Sequence, residues 1–183
     1  MTVLIKNGRV IDPANSINEF KDILIEKGKI KSLESPGKVK IDSEEKPSIF
    51  DAKNCVVCPG LIDMHVHFRE PGFEYKETIK SGCDSAAAGG FTSVAVMPNT
   101  KPVNDSRSVT EHILSIAKNE ASINVYAIAA ITKKLAGESL SEMSDLRDAG
   151  VIAFSDDGRP VMDNELMRRA FEYSKMFKLP LIQ

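Results

Sequence analysis

Apolar residues change their spacing once along this chain, near residue 58, and the change separates two patterns. Before it, short apolar runs end in turn residues: Val3-Leu4-Ile5, Asp22-Ile23-Leu24-Ile25-Glu26, a Lys27-Gly28 turn, Lys29-Ile30-Lys31-Ser32-Leu33 and Ser48-Ile49-Phe50. Ile23, Ile25, Ile30 and Leu33 suit a small antiparallel sheet. Ser35-Pro36-Gly37 and Ser43-Glu44-Glu45-Lys46-Pro47 carry loop chemistry without apolar periodicity. This half predicts a small β-sandwich-like module over residues 1–57.

After it, residues 58–183 alternate strand runs with helical periodicity, the mark of βα units around a parallel sheet. Leu61–Val66 predicts a first strand, followed by a helix over Tyr75–Ala88 that closes at Gly89-Gly90, where glycine suits the left-handed cap. Phe91–Met97 predicts the second strand. Asp105 or Ser106 can cap the next helix, whose Val109, Ile113, Ile116 and Ala117 share a face. Ile123–Ala130 is the third strand. Ser141 caps a helix with Met143, Leu146 and Ala149 that ends at Gly150, and Val151–Phe154 is the fourth strand. Asp163 caps a helix reaching Phe177, and Leu179–Ile182 begins a fifth strand. A closed barrel of eight such units takes about 250 residues. The expected fold is therefore α/β, an incomplete (β/α)8 TIM-type barrel holding the first four βα units and the start of the fifth strand.

Composition adds bounds. The chain has 183 residues, 42% hydrophobic and 27% charged, ordinary for a globular protein with a real core. A net charge of -2 gives no global bias toward nucleic acid or an anionic membrane. No apolar run approaches the roughly 18 residues of a membrane span, and the first residues are too short an apolar run for a signal peptide. Three cysteines without a secretory signal argue for reduced thiols and a cytoplasmic location. Asn104-Asp105-Ser106 is then a glycosylation sequon that stays unused.

The chemistry gathers where predicted strands end, as the shared mouth of a parallel fold requires. His65 and His67, two apart on a strand, point the same way and can grip one divalent metal. Arg69 follows as a planar fork for a carboxylate. A lone His-x-His is a modest signal, but Asp63 before it and Asp156-Asp157 at a later strand end favour a metal site over two core-satisfied histidines. Strand alternation allows either Asp156 or Asp157 to face inward.

Pro59-Gly60-Leu61-Ile62-Asp63-Met64-His65-Val66-His67-Phe68-Arg69-Glu70-Pro71-Gly72, with Met97-Pro98-Asn99-Thr100 and Phe154-Ser155-Asp156-Asp157-Gly158, closely resembles the bacterial dihydroorotases of the amidohydrolase superfamily. The resemblance implies reversible cyclisation of N-carbamoyl-L-aspartate to L-dihydroorotate in de novo pyrimidine synthesis, by a metal-dependent barrel whose N-terminal half is residues 58–183. It implies one or two zinc ions held by His65, His67 and Asp157, with Asp157 as the bridge, and a substrate carboxylate held by Arg69 and Asn99. Many relatives bridge with a carboxylated lysine, and no lysine lies in this segment. The family's later histidine ligands and its proton-shuttling aspartate are expected beyond Gln183, so the chain is expected to be an N-terminal portion, inactive alone. A small-molecule substrate is implied, and a homodimer or association with aspartate transcarbamoylase is left open.

Two rivals remain at this stage. A hydantoinase or allantoinase shares the barrel and the His-x-His, but a ureide ring without a carboxylate gives Arg69 no partner. A non-catalytic dihydroorotase-like subunit that scaffolds aspartate transcarbamoylase would usually lose its ligands, and these are kept. Cys55-Val56-Val57-Cys58 lies in a strand where positions three apart face opposite sides, so it reads as structural. Cys83 reads as a packing residue, His112 and Lys133-Lys134 as solvated, Glu74 to Glu77 as favouring a helix N-terminus, and Asp63 as a partner of a metal histidine or a strand-end polar residue.

Overall fold

The computed structural model describes residues 1–41 and 46–183, so residues 43–45 of the expected Ser43–Pro47 loop lie outside the described part. Two compact units result, Met1–Pro59 and Gly60–Gln183.

The first unit is one five-stranded sheet of β1 (Thr2–Asp12), β2 (Ile17–Glu26), β3 (Lys29–Glu34), β4 (Ser48–Asp51) and β5 (Val56–Val57). β1, β2 and β3 pair antiparallel, as the alternation predicts. β4 and β5 instead run parallel to β1, so the sheet is mixed. The reason is the length of β1: its first half takes β4, from Val3 against Ser48 to Lys6 against Asp51, and its second half takes β5, Arg9 against Val56. Leu4, Val10, Ile23 and Leu24 are buried. Buried Asp22 accepts the Asn7 N–H at 2.9 Å and the Gly37 N–H at 2.8 Å, which satisfies a carboxylate that would otherwise be costly there.

The second unit runs β6 (Leu61–Val66), α1 (Ile79–Ala88), β7 (Phe91–Val96), α2 (Arg107–Glu120), β8 (Asn124–Ala129), α3 (Met143–Ala149), β9 (Ala153–Ser155), α4 (Asn164–Lys175) and β10 (Leu181–Ile182). Its strands pair in the order β10-β9-β8-β7-β6, all parallel. Neighbours in space are neighbours in sequence, so the sheet winds in one direction. A doubly wound sheet would reverse at a switch point; a TIM-type barrel does not. The unit is an incomplete (β/α)8 barrel.

Alternation along each strand separates two faces. Val94 and Val96 of β7 pack with Ile79 and Cys83 of α1 and Val109 and Ile113 of α2, and Ala127, Ala129 and Phe154 pack with Met143, Leu146 and Ala170 of α3 and α4. Ala95, Met97, Ile128 and Ala153 form a separate cluster on the other face. Val66 and Phe68 belong to the helix side, which turns His65 and His67 toward that other face.

Several element ends differ from the sequence pattern. α1 starts at Ile79, not Tyr75, because Thr78 caps it: the Thr78 hydroxyl accepts the Ser81 N–H at 3.1 Å while the Ser81 hydroxyl accepts the Thr78 N–H at 3.0 Å. Glu74 therefore serves no helix; its carboxylate accepts the Gly72 N–H at 2.6 Å. Ser106 precedes α2 without a side-chain cap bond, and Asp105 accepts the Lys134 N–H instead. Ser141 does not cap α3, and its buried hydroxyl has no hydrogen-bond partner among the described residues. Asp163 does cap α4, accepting the Leu166 N–H at 2.9 Å. Among the described residues no helix is long and apolar enough to cross a membrane.

Asn104, in the sequon, is 1% exposed and has no surface amide to modify. Cys55 and Cys58 are exposed free thiols, whereas Cys83 is buried in α1 and burial pushes its thiol up to about 11. In the native protein a thiol reagent such as Ellman's is expected to label Cys55 and Cys58 quickly and Cys83 only after denaturation. Prompt native labelling of Cys83, read by peptide mass, would contradict this packing.

Candidate metal centre

Four strand ends supply the candidate site. His65 closes β6 and His67 lies just past it, Asn99 follows β7, Thr132 follows β8, and Asp156 and Asp157 follow β9. Parallel strands put these ends on one side of the sheet.

His65, His67 and Asp157 come together. The two Nε2 atoms lie 3.2 Å apart, His65 Nε2 is 3.3 Å from Asp157 Oδ1, and His67 Nε2 is 3.5 Å from Asp157 Oδ2. Ligands of a tetrahedral ion at about 2.0–2.1 Å stand roughly 3.4 Å from one another. The spacings fit one divalent ion of that kind, and the donor set of two imidazoles and a carboxylate suits zinc chemistry.

Asn99 decides how the rings are used. Its Nδ2 is 3.5 Å from Asp157 Oδ2 and its Oδ1 is 3.0 Å from His67 Nδ1. An amide places its donor, not its acceptor, toward a carboxylate, so Oδ1 faces the ring and can only accept. In the neutral ring the Nδ1 of His67 is then the protonated nitrogen, which leaves the Nε2 lone pair facing the cluster. Asp63 turns out to brace backbone rather than a ring: its Oδ1 accepts the His65 N–H at 3.0 Å.

Asp156 points elsewhere. It is 3% exposed and accepts from the Thr132 N–H at 3.0 Å and from the Thr132 hydroxyl. Burial pushes its carboxyl up, opposed by the hydrogen bonds from Thr132. The same hydroxyl accepts the Gly137 N–H at 2.9 Å, so Asp156 pins the loop after β8 to the end of β9.

The loops after β6 and β7 are joined as well. Gly72, at φ +97°, lies where a Cβ would collide with the Lys101 carbonyl, and the Lys101 N–H donates to Pro71 O at 2.9 Å. Glu70 Oε2 accepts the Ile79 N–H at 2.8 Å, which ties the loop after His67 to the start of α1. The ring of buried Phe68 fills the space over Gly82, where any side chain would clash. Asn104 fixes the loop carrying Asn99: its amide donates to Ile128 O at 2.9 Å and accepts the Thr110 hydroxyl at 2.7 Å.

Of the residues expected from sequence, His65, His67, Asn99 and Asp157 meet in one cluster. Arg69 is half-buried two residues past His67, and its guanidinium makes no hydrogen bond or ion pair among the described residues. Glu70, Asn104 and the Thr132–Asp156 clamp were not assigned from sequence. Only Glu70 carried a readable signal, a carboxylate placed before a helix start.

A singly wound parallel sheet with a His-x-His and an aspartate at its strand ends defines an amidohydrolase-type barrel. A family model described as Dihydro-orotase-like matches residues 54–181, and the chain belongs to that family. It is 54% identical over 175 residues to a dihydroorotase of Geotalea daltonii, covering 96% of this chain and 40% of that protein. It is 52% identical over 182 residues to a dihydroorotase of Syntrophotalea carbinolica, covering 100% of this chain and 42% of that protein. The chain thus spans about 40% of the length of the curated relatives it matches. Among solved structures, the L-hydantoinase of Arthrobacter aurescens aligns with a TM-score of 0.81 at 20% identity, over 98% of this chain and 39% of that one. A D-hydantoinase aligns at 0.74 and 21% identity, over 99% and 39%. These structural likenesses carry the barrel fold.

Asn99→Ala frees the His67 ring and removes its tautomer lock. Metal affinity, measured by competition with a chromogenic chelator, is expected to fall about 10–100-fold while the melting temperature changes little. Unchanged affinity would mean that Asn99 does not orient His67.

Proposed function

We propose that these residues are the N-terminal part of a zinc-dependent dihydroorotase, which reversibly cyclises N-carbamoyl-L-aspartate to L-dihydroorotate in de novo pyrimidine synthesis. The observation that carries the reading is the convergence of His65, His67 and Asp157 at 3.2–3.5 Å with Asn99 bridging them. The names of relatives at 52–54% identity support the same substrate.

In this reading His65, His67 and Asp157 hold one or two zinc ions, with an oxygen of Asp157 turned to each ring. Zinc, when bound, acts as a Lewis acid that lowers the pKa of water to about 7 and polarises the ring amide. Arg69 holds the substrate carboxylate through two parallel N–H groups, and the second hydrogen of the Asn99 amide joins it. His67 keeps its proton at Nδ1, against Asn99.

The hydantoinase reading has the fold in its favour, but a neutral ureide ring leaves Arg69 without a partner. The scaffold reading is opposed by three retained ligands in ligand geometry. The enzyme reading carries a cytoplasmic location and is compatible with a homodimer or with aspartate transcarbamoylase as a partner. Leu61, Ile62 and Met64 of β6 are 50%, 65% and 74% exposed, so further structure is needed to cover this strand. Residues 1–183 alone are expected not to turn over dihydroorotate.

The test compares turnover of dihydroorotate, hydantoin and allantoin by the zinc-loaded full-length protein. Dihydroorotate is expected to be the substrate, and preference for hydantoin would overturn the proposal. Arg69→Lys is expected to raise KM for dihydroorotate roughly 10-fold or more at unchanged zinc content, because an ammonium cannot replace the bidentate contact. Equal KM in both forms would remove Arg69 from the substrate.

A further inference from the structure

Beside the metal cluster lies a cleft of about 450 Å³, and Asn99 and Asp157 form part of its wall. That volume suits a small metabolite. Its other charged wall residues are Lys134, from the loop after β8, and Arg159, from the loop after β9. Both are exposed, and neither side chain makes an ion pair or hydrogen bond among the described residues. By contrast, neighbouring Lys133 pairs with Glu142 at 3.3 Å.

Lys134 is held in place by its backbone. Lys134 and Leu135 have φ of 58° and 55°, two consecutive non-glycine residues in the left-handed region. Such conformations persist only where the surroundings over-determine them. Here the Lys134 N–H donates to Asp105 Oδ2 at 2.7 Å, the Leu135 side chain is buried, and the loop is pinned by Thr132 to Asp156. Arg159 is fixed similarly, with its N–H donating to Asp156 O at 2.8 Å. Asp156 thus organises both cation-bearing loops.

We propose that Lys134 and Arg159 form an anion-capturing rim that selects small dicarboxylates for the cleft. This rests on the proposed reaction, whose open-chain form carries two carboxylates and whose ring form carries one. Arg69 and Asn99 account for the carboxylate common to both forms; the second is the group that ring closure consumes, which the proposed zinc faces, so the rim acts on the dianion as it enters the cleft. Two unpaired cations on the wall beside the cluster supply the local positive potential that favours the dianion, in a chain whose net charge is -2 and gives none globally.

The experiment measures binding of succinate and of butyrate to the zinc-loaded full-length protein by calorimetry at low salt. Metal, Arg69 and Asn99 are the same in wild type and variant, so a change confined to succinate reports on the rim, and butyrate controls for damage to the shared carboxylate contacts. In the Lys134→Gln/Arg159→Gln variant the Kd for succinate is expected to rise about fivefold or more, with that for butyrate within about twofold. Lys134→Arg/Arg159→Lys is expected to restore the wild-type ratio, and about 0.5 M salt to erase the difference. If the double variant does not fold, Arg159→Gln alone carries the comparison. An unchanged succinate Kd, or equal loss for both acids, would overturn the proposal. Absence of dihydroorotate turnover by the wild type would instead sink the reaction reading, since the succinate comparison needs no turnover.

Discussion

Asp157 faces the histidines because its neighbour Asp156 is committed to Thr132. Consecutive residues leaving a strand point to opposite sides, so fixing one fixes the other. Asp156 accepts from both the N–H and the hydroxyl of Thr132 and lies almost wholly out of solvent. A carboxylate buried that deeply is costly unless its oxygens are satisfied, and the burial pushes its proton affinity up. The satisfied clamp offsets that cost and leaves Asp157 at the cluster with an oxygen for each ring.

The same two-sidedness runs through the parallel sheet. Helix-facing Val94, Val96, Ala127, Ala129 and Phe154 set the register, and each places its alternate neighbour on the opposite face. Phe154 is the decisive case: seated among Met143, Leu146 and Ala170, it sends Ala153, and by parity Asp157, inward. Core packing and site chemistry are therefore coupled through strand alternation, and shifting β9 by one residue would bury Asp157 and present Asp156 to the two histidines.

Much of this was legible in the residues. The spacing of His65 and His67 dictates a shared face, the alternation after residue 58 dictates a parallel sheet, and the glycine pair at Gly89-Gly90 marks the end of α1. The choice between Asp156 and Asp157 was not legible from alternation, because Val151 to Phe154 are all apolar and reveal no face; only the packing of Phe154 does. The start of α1 was misplaced because Glu74 to Glu77 resemble a helix first turn, whereas Glu74 is drawn back to the Gly72 N–H. Parallel β4 and β5 escaped because pairing direction depends on connections that local pattern does not encode. Lys134 is solvated, as its sequence suggests, but the contact that fixes its backbone, with Asp105, joins residues distant in sequence and leaves no local signal.

Asn99 connects the fold to the chemistry most directly. A neutral imidazole can carry its proton on either nitrogen, and a proton on the wrong one would turn a donor toward any cation held by this cluster. The Asn99 amide removes that freedom for His67, but only if its own loop is fixed. Asn104 fixes it: its backbone donates to Pro98 O at 3.0 Å and accepts the Ala130 N–H at 2.8 Å, while its side chain bonds Ile128 O and Thr110. A buried amide bonded through both its nitrogen and its oxygen is rigid in a way that an exposed loop is not. The precision of the His65, His67 and Asp157 cluster thus originates in a buried polar node, and the asparagine of the glycosylation-type sequence is spent on that node.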